Sequence, residues 1–468
     1  MTFGETKKLK KTVAAAAGLA VLACFCLLPP FAGMEAQGMR VLGSVLCAIA
    51  FWAGNVFPDW MTGLLLIAAW NVICGIPFKE AIGGFTGESL WLVVCACCMA
   101  EAVERTGLFA RISWGIIRLF HPSFRGISLA LFAVGLVFAP LIPSATAKAV
   151  LGASLAYSLA EAMDYGPDSD GRCGLFVASF IGFSVSTVGF ASGSVFTYTL
   201  RGVLPAEVNA QIGWGRWLLS SLPWLVITLG LCYAGIWLLY GRKAPSRLDP
   251  AHVDAEREKL GPVKGKEKVA GVLLAACVIL WIFERQTGLS AATVSIAAFV
   301  LCFALGLLKP EDLKTSVPWG LFLYLGAVLN LGPLFSSYGI NDLLELAMTP
   351  LITALHSPFL VILAVGLLTL AIRFLIVSQT ATTVILMAVL LPIAPKTGVS
   401  PFILGFTILA TQQSWFAAYQ NTVFGPARAC MHGTLSHGKT VKASFVYAGS
   451  ALLACLVSIP WWRLFGYL

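Results

Sequence analysis

Ile142-Pro143-Ser144-Ala145-Thr146-Ala147-Lys148 stands inside an apolar block, 126–162, that is too long for one membrane crossing. Val377-Ser378-Gln379-Thr380-Ala381 stands inside a second such block, 357–395. Both tips read Ser-x-Thr-Ala, and residue 378 follows residue 144 by 234 positions, half of the 468-residue chain. A crossing helix takes about 20 apolar residues at 1.5 Å rise, so each block must turn within itself. Backbone freed by such a turn survives at membrane depth only when buried in protein or lining a cavity. A re-entrant hairpin, entering and leaving on one side with its tip at Ser-x-Thr, fits. Two full crossings per block would leave halves of roughly 18 residues joined by polar surface turns.

The surroundings of the two tips match. Each is preceded by a span opening with Trp (Trp91, Trp319) and then by a segment that starts at a Gly (Gly107, Gly339). Arg105 to Phe124 places Arg105, Arg111 and Arg118 among Leu, Phe, Ile and Trp, a pattern suited to a helix lying in the interface. Gly339 to His356 is its counterpart, with Asp342 and Glu345 and neither Lys nor Arg. Each tip is followed by a span broken by small and polar residues. The first is Gly182-Phe-Ser-Val-Ser-Thr-Val-Gly-Phe-Ala-Ser-Gly-Ser194. The second runs from Thr411-Gln-Gln-Ser414 through Tyr419-Gln-Asn-Thr-Val-Phe-Gly425-Pro426.

Composition supports the membrane reading. Hydrophobic residues make up 58% and charged residues 11%, against roughly 25% charged in a soluble domain. Apolar blocks fall at 12–32, 38–57, 59–77, 89–106, 126–162, 172–200, 214–241, 267–284, 289–308, 317–338, 357–395, 400–428 and 441–466. The predicted fold is an all-α polytopic membrane protein of about eleven transmembrane helices plus two re-entrant hairpins. Residues 1–37 form an N-terminal tail and first helix, with Lys7, Lys8, Lys10 and Lys11 in the cytoplasm and no cleavable signal. A first repeat, 38–241, carries a cytoplasmic-side hairpin; 242–266 is a charged cytoplasmic linker; a second repeat, 267–468, carries an outer-side hairpin. On that layout 23 of the 31 Lys and Arg face the cytoplasm, as the positive-inside rule expects. The N-terminus is then cytoplasmic and the C-terminus external, in a bacterial-type inner membrane. The net charge of +9 reflects that bias and does not imply a nucleic-acid partner.

Enzymatic and metal chemistry find little support. Most of the thirteen cysteines sit in apolar runs, and Cys95-Ala-Cys97-Cys98 has no His or carboxylate at ligand spacing. They read as packing residues. His121, His252, His356, His432 and His437 lie near loops or interfaces, and no His-Glu-x-x-His or Gly-x-Ser-x-Gly occurs. A segment able to form a channel's filter ring is also missing.

Because one hairpin falls on each side, the halves are inverted. Inverted repeats with discontinuous helices at the midplane mark secondary transporters. Helix N-termini at such breaks suit an anion and freed carbonyls suit a cation. Two further charges sit near the tips, Lys148 and Arg373. Intramembrane charge is costly and often functional; either could neutralise a substrate carboxylate or stand in for a coupling cation, the alternative being snorkelling to the interface.

The chain resembles the divalent anion:sodium symporters, carriers of dicarboxylates, tricarboxylates or sulfate. The likeness runs from about residue 38 to the C-terminus and includes the closing Ile459-Pro-Trp-Trp-Arg-Leu-Phe-Gly466. In that family each tip reads Ser-Asn-Thr, and tip and broken span frame a sodium site with the anion between. The resemblance implies substrate contacts from Ser144, Ala145, Thr146, Lys148, Arg373, Ser378, Gln379 and Thr380. It implies one cation site from Ser144 and Thr146 with Ser186, Thr187 and Gly189, and another from Ser378 and Thr380 with Asn421 and Thr422. Sodium ions would be coupling ions, with no other cofactor, and the carrier a homodimer. Two departures stand out: the tip Asn is Ala145 in one half and Gln379 in the other. The expected activity is transport of a di- or tricarboxylate by sodium symport or anion exchange, through elevator-like alternating access. A sulfate carrier is the alternative, an anion channel or intramembrane enzyme less so.

Overall fold

Helix formation follows the apolar blocks, and serine starts many of the helices. The structure, a computed structural model, describes residues 3–30, 34–244, 247–346 and 357–468. Short helical turns aside, the elements are α1 (Phe3–Leu27), α2 (Ala36–Gly54), α3 (Asp59–Val72), α4 (Glu88–Thr106), α5 (Leu108–Ile117), α6 (Phe124–Phe138) and α7 (Ala145–Ala162). There follow α8 (Asp170–Phe183), α9 (Val195–Val203), α10 (Trp214–Leu239), α11 (Pro250–Lys259), α12 (Gly265–Ile282) and α13 (Ala291–Ala304). The last are α14 (Trp319–Val328), α15 (Leu331–Ser337), α16 (Pro358–Ile372), α17 (Gln379–Leu390), α18 (Pro401–Thr411), α19 (Phe424–Ala429), α20 (His437–Val457) and α21 (Ile459–Leu464). Among the described residues there is no strand; one isolated bridge pairs Ser123 with Arg247. Ser123, Ser144, Ser169, Ser194, Ser290, Ser357, Ser378 and Ser400 each accept a first-turn N–H through the side-chain oxygen. Such caps satisfy donors that hydrocarbon cannot.

The chain is a multi-pass membrane protein. Among the described residues, 36–54, 170–189, 214–239, 319–337 and 437–464 are each long and apolar enough to cross alone. Both long blocks divide where the tips stand, into α6 and α7 and into α16 and α17. Both broken spans divide too, at 184–194 and 412–423. Two features were not anticipated. The span 317–338 splits at Asn330, whose side-chain amide donates to the carbonyls of Glu80 and Ala81 at 2.8 and 3.0 Å. The charged linker contains α11, started by Asp249 and Pro250. The first interfacial segment forms α5; in its counterpart 341–346 are helical, and 347–356 lie outside the described residues.

Packing repeats between the halves. α6 and α7 both pack on α8, as α16 and α17 pack on α18. α7 meets α19 of the other half, and α17 meets α9. α3 lies against α14 and α13 against α4, while α10 and α20 pair with each other. Each of these contacts has a counterpart when the halves are exchanged, whereas the α1–α2 pair has none. α6 and α8 come especially close, because a Cβ on Gly135 would run into the backbone of Gly182; small residues let membrane helices approach in this way.

Loops segregate into two groups. One contains the ion pairs Arg111–Glu267 (2.5 Å), Arg118–Asp254 (3.3 Å) and Arg105–Asp312 (2.8 Å). It also contains the bond from Ser436 N–H to Asp168 Oδ1 (2.9 Å). The other joins Arg216 to the Tyr467 hydroxyl (3.1 Å), Ser400 N–H to the Tyr467 carbonyl (2.8 Å) and Lys396 to Glu345 (2.7 Å). Arg105, Arg111 and Arg118 of the first group fall in one of the sets that the Lys and Arg distribution separates, and Arg216 and Lys396 of the second group in the other.

Candidate functional site

At the first tip the backbone turns because Pro143 carries no N–H and Ser144 caps the next helix, its Oγ accepting from Ala147 N–H at 3.2 Å. Four bonds then fix the loop, three of them to the gap between α8 and α9. Lys148 Nζ donates to Ala139 O at 2.9 Å and to Gly193 O at 2.6 Å. The Ser192 hydroxyl donates to Pro140 O at 2.8 Å, and Val195 N–H to Pro143 O at 3.1 Å. Lys148 is wholly buried, so it does not snorkel. A Cβ at Gly193 would strike the carbonyl of Thr187, so only glycine lets this turn close.

The second tip is built on the same plan with a different cation. Arg373, at the end of α16, is also wholly buried. It donates through Nη1 to Ile376 O and Val377 O at 2.6 and 2.7 Å, and through Nε to Gln412 O at 3.2 Å. Nη2 reaches the carbonyl of Gln420. In each half a buried basic side chain therefore ties carbonyls of the hairpin turn to carbonyls of the broken span. Among the described residues neither cation has an ion-pair partner.

The remaining second-tip residues form a polar network. Ser378 Oγ accepts from Ala381 N–H (3.3 Å) and lies 3.3 Å from Asp59 Oδ2, at the start of α3. Gln379 Nε2 donates to Gln413 Oε1 at 2.7 Å, while its own Oε1 accepts from the Thr422 hydroxyl at 3.1 Å. Asn421 donates to Gln413 O (2.7 Å) and accepts from Val423 and Phe424 N–H (2.9 and 3.1 Å), which starts α19. Thr380 is buried beside them.

On the first side, Ala145 is buried and Thr146 exposed. The Ser186 hydroxyl donates to Gly182 O and that of Thr187 to Ser184 O (2.6 Å), both within their own turn. The carbonyls of Val188 and Gly189 accept from Trp217 and Ser221 of α10 at 3.1 and 2.7 Å. The bonds from the first tip thus run to 192–195, a few residues beyond the 186–189 stretch.

A sequence profile described as the sodium:sulfate symporter transmembrane region matches residues 9–468. The chain belongs to the sodium:sulfate symporter family. It is therefore a membrane transporter and not an enzyme. Among relatives of the family, the inner membrane protein YbhI of Escherichia coli is 26% identical over 68% of this chain and 69% of its own. The L-tartrate/succinate antiporter of Escherichia coli is 24% identical over 78% and 80%. Dicarboxylate transporter 2 of the spinach (Spinacia oleracea) chloroplast is 24% identical over 94% and 79%. In fold, the chain is similar to the YdaH transporter of Alcanivorax borkumensis, at 16% identity, 83% and 88% coverage and a TM-score of 0.57.

In this symporter-family chain the first tip opens on a cavity of about 570 Å³, lined by Ser144, Ala147, Cys97, Glu101 and Arg105 among others. The cavity lies on the side of the Arg105–Asp312 pair. A larger cavity of about 980 Å³ opens on the other side, past Arg201, Asn209 and Asn330, and neither tip lines it. Sequence reasoning placed Gln412, Gln413 and Gln420 in the polar break of this span but gave them no role. Nothing in the sequence pointed from Asp59 to Ser378, 319 residues away.

Proposed function

We propose that the protein is a carrier of small dicarboxylates, such as succinate or malate, that works by anion exchange. The observation that carries this reading is that Lys148 and Arg373 already occupy the carbonyl clusters at the two breaks. A sodium ion would compete for the same oxygens with a tethered cation that never leaves. Two fixed positive charges match the two negative charges of a dicarboxylate, and Ser144 and Ser378 place two helix N-termini beside it. The names of the tartrate/succinate antiporter and the chloroplast dicarboxylate transporter agree in substrate class.

The same reading takes α6–α7 and α16–α17 as re-entrant hairpins of an inverted repeat with eleven crossings. The Arg105 and Asp168 loops are then cytoplasmic. α6–α10 and α16–α20 move as a core past α1–α4 and α12–α15. The first tip's opening makes the present state inward-facing, and the Asp59–Ser378 contact joins stationary and moving parts.

Proteoliposomes loaded with succinate and exposed to labelled succinate, malate, tartrate, citrate or sulfate test the reading. Exchange of dicarboxylates at equal rates in sodium and choline buffers is expected. Strict dependence on a sodium gradient would refute the exchange mechanism. Preference for sulfate over every dicarboxylate would refute the substrate class.

A further inference from the structure

The gap between α18 and α19 contains amide groups that the protein itself leaves half used. Gln412, Gln413 and Gln420 are all wholly buried. Each has its side-chain carbonyl oxygen occupied, by the Thr383 hydroxyl (3.3 Å), Gln379 Nε2 (2.7 Å) and Ala417 N–H (3.3 Å) respectively. Each has its NH2 group without a partner. Buried donors are ordinarily satisfied, and an unmet one is costly. Three in a run of nine residues mark a place where something else supplies the acceptors.

Position narrows the ligand. Gln379 and Thr383 are one turn apart on α17, and the single Thr383 O–H lies within reach of both Gln379 O (3.1 Å) and Gln412 Oε1 (3.3 Å), donating to one of them at a time. The amides of Gln412 and Gln413 therefore reach one face of the helix that Ser378 starts. Arg373 lies against the same backbone, through Gln412 O and Gln420 O. Four of its five N–H groups are spent on carbonyls, so it contributes mainly charge while the glutamines contribute free donors. Positive charge with unspent N–H groups suits a carboxylate. The first half has no such amide: Ala145 carries no donor, the Lys148 ammonium faces two carbonyls, and the unpartnered groups at its broken span are hydroxyls, those of Ser184 and Tyr198 among them.

We infer that Gln412 and Gln413 bind one carboxylate of the transported anion, so that the anion's two ends are read unequally. Gln379, with both ends of its amide engaged, is a positioning residue that aims Gln413. This inference rests on the proposed transport of dicarboxylates and names the groups that recognise them.

The experiment uses the full-length protein in proteoliposomes, with succinate exchange as the flux and succinate-induced thermal stabilisation in detergent as a binding readout. Gln412→Glu and Gln413→Glu keep size and shape but place a carboxylate where a donor stood. Each is expected to raise the succinate KM at least tenfold and to weaken thermal stabilisation in parallel. Gln379→Asn is expected to raise KM less, with no change in the pH profile. If a Glu variant does not fold, Gln413→Asn, which withdraws the donor by one methylene, is measured instead with the same expectation. A folded variant whose succinate KM stays within twofold of the parent overturns the inference. So does an unchanged KM with a new response to sodium, which would mean that a cation meets these groups. Failure of the parent protein to exchange any dicarboxylate would instead sink the transport reading.

Discussion

Removing the Lys148 ammonium separates a tethered cation from a merely structural lysine. Lys148→Ala deletes two charge-assisted bonds, at 2.9 and 2.6 Å, and leaves the carbonyls of Ala139 and Gly193 facing an empty buried space. At about 1.5–3 kcal/mol for each bond to a charged group, the loss is about 3–6 kcal/mol. Domain stabilities are about 5–15 kcal/mol, so a share of the variant should still fold. The vacated site is a pair of carbonyl oxygens in a polar turn, a place for a small monovalent cation. If sodium enters with a dissociation constant of about 10 mM, then about 100 mM sodium restores about 1.4 kcal/mol, or roughly tenfold. Succinate exchange in proteoliposomes is therefore expected to ignore sodium in the parent and to rise about tenfold with it in Lys148→Ala. Choline should not substitute. The reasoning fails if the parent already requires sodium, or if the folded variant exchanges at the parental rate in choline.

Three other expectations follow from the same geometry. Gly193→Ala should cost at least about 1–3 kcal/mol through collision with the Thr187 carbonyl, seen as a lower Tm and a slower exchange. Asp168, in the loop before α8, has its carboxyl held below the usual range by the Ser436 N–H, with Lys439 nearby. A depressed carboxylate stabilises the fold above its unfolded pKa, and that contribution is lost as pH falls through the folded value. Asp168→Asn should therefore lower Tm slightly near neutral pH, and the difference should vanish once the pH has fallen through the carboxylate's depressed titration. Ser144→Cys should react with a thiol reagent from the cytoplasmic face, through the first-tip cavity, while Asn209→Cys should react from the other. Equal reactivity of both from one face would be incompatible with the proposed sidedness.

Much of the architecture was legible because the bilayer simplifies the code. Apolar length gave the spans, and doubled length with a central Ser-x-Thr gave the breaks at 144 and 378. Lys and Arg bias sorted the loops into the two sets that the structure brings together. The limits of that reading are equally physical. Asn330 splits a span through bonds to Glu80 and Ala81, 250 and 249 residues earlier, and a hydropathy window carries no such information. The shift of first-tip contacts from 186–189 to 192–195 depends on which carbonyls α10 has already taken. The glutamines at 412, 413 and 420 were visible as letters, but whether an amide is spent or free is a property of its neighbours. Resemblance to a family directs attention to the positions it shares; these amides lie outside its tip motif.

A fixed cation also changes what the carrier can do when empty. In a sodium-coupled carrier the neutralising ions depart with the substrate, and the core can return without charge. Lys148 and Arg373 cannot depart. Among the described residues neither has an ion-pair partner, and Asp59, the nearby carboxylate at the second tip, belongs to α3, which the proposed mechanism keeps still. An unloaded core would have to carry two uncompensated positive charges through a low-dielectric path, at a cost of several kcal/mol for each buried ion. A bound dicarboxylate cancels both. Loaded movement is then cheap in either direction and empty movement is slow, and a carrier limited in that way exchanges one anion for another. Removing one of the two charges should therefore do more than weaken binding. It should raise net efflux into substrate-free medium relative to exchange, since the empty core is then less charged. A folded Lys148→Ala whose efflux-to-exchange ratio did not rise in choline would show that another group supplies the neutralisation.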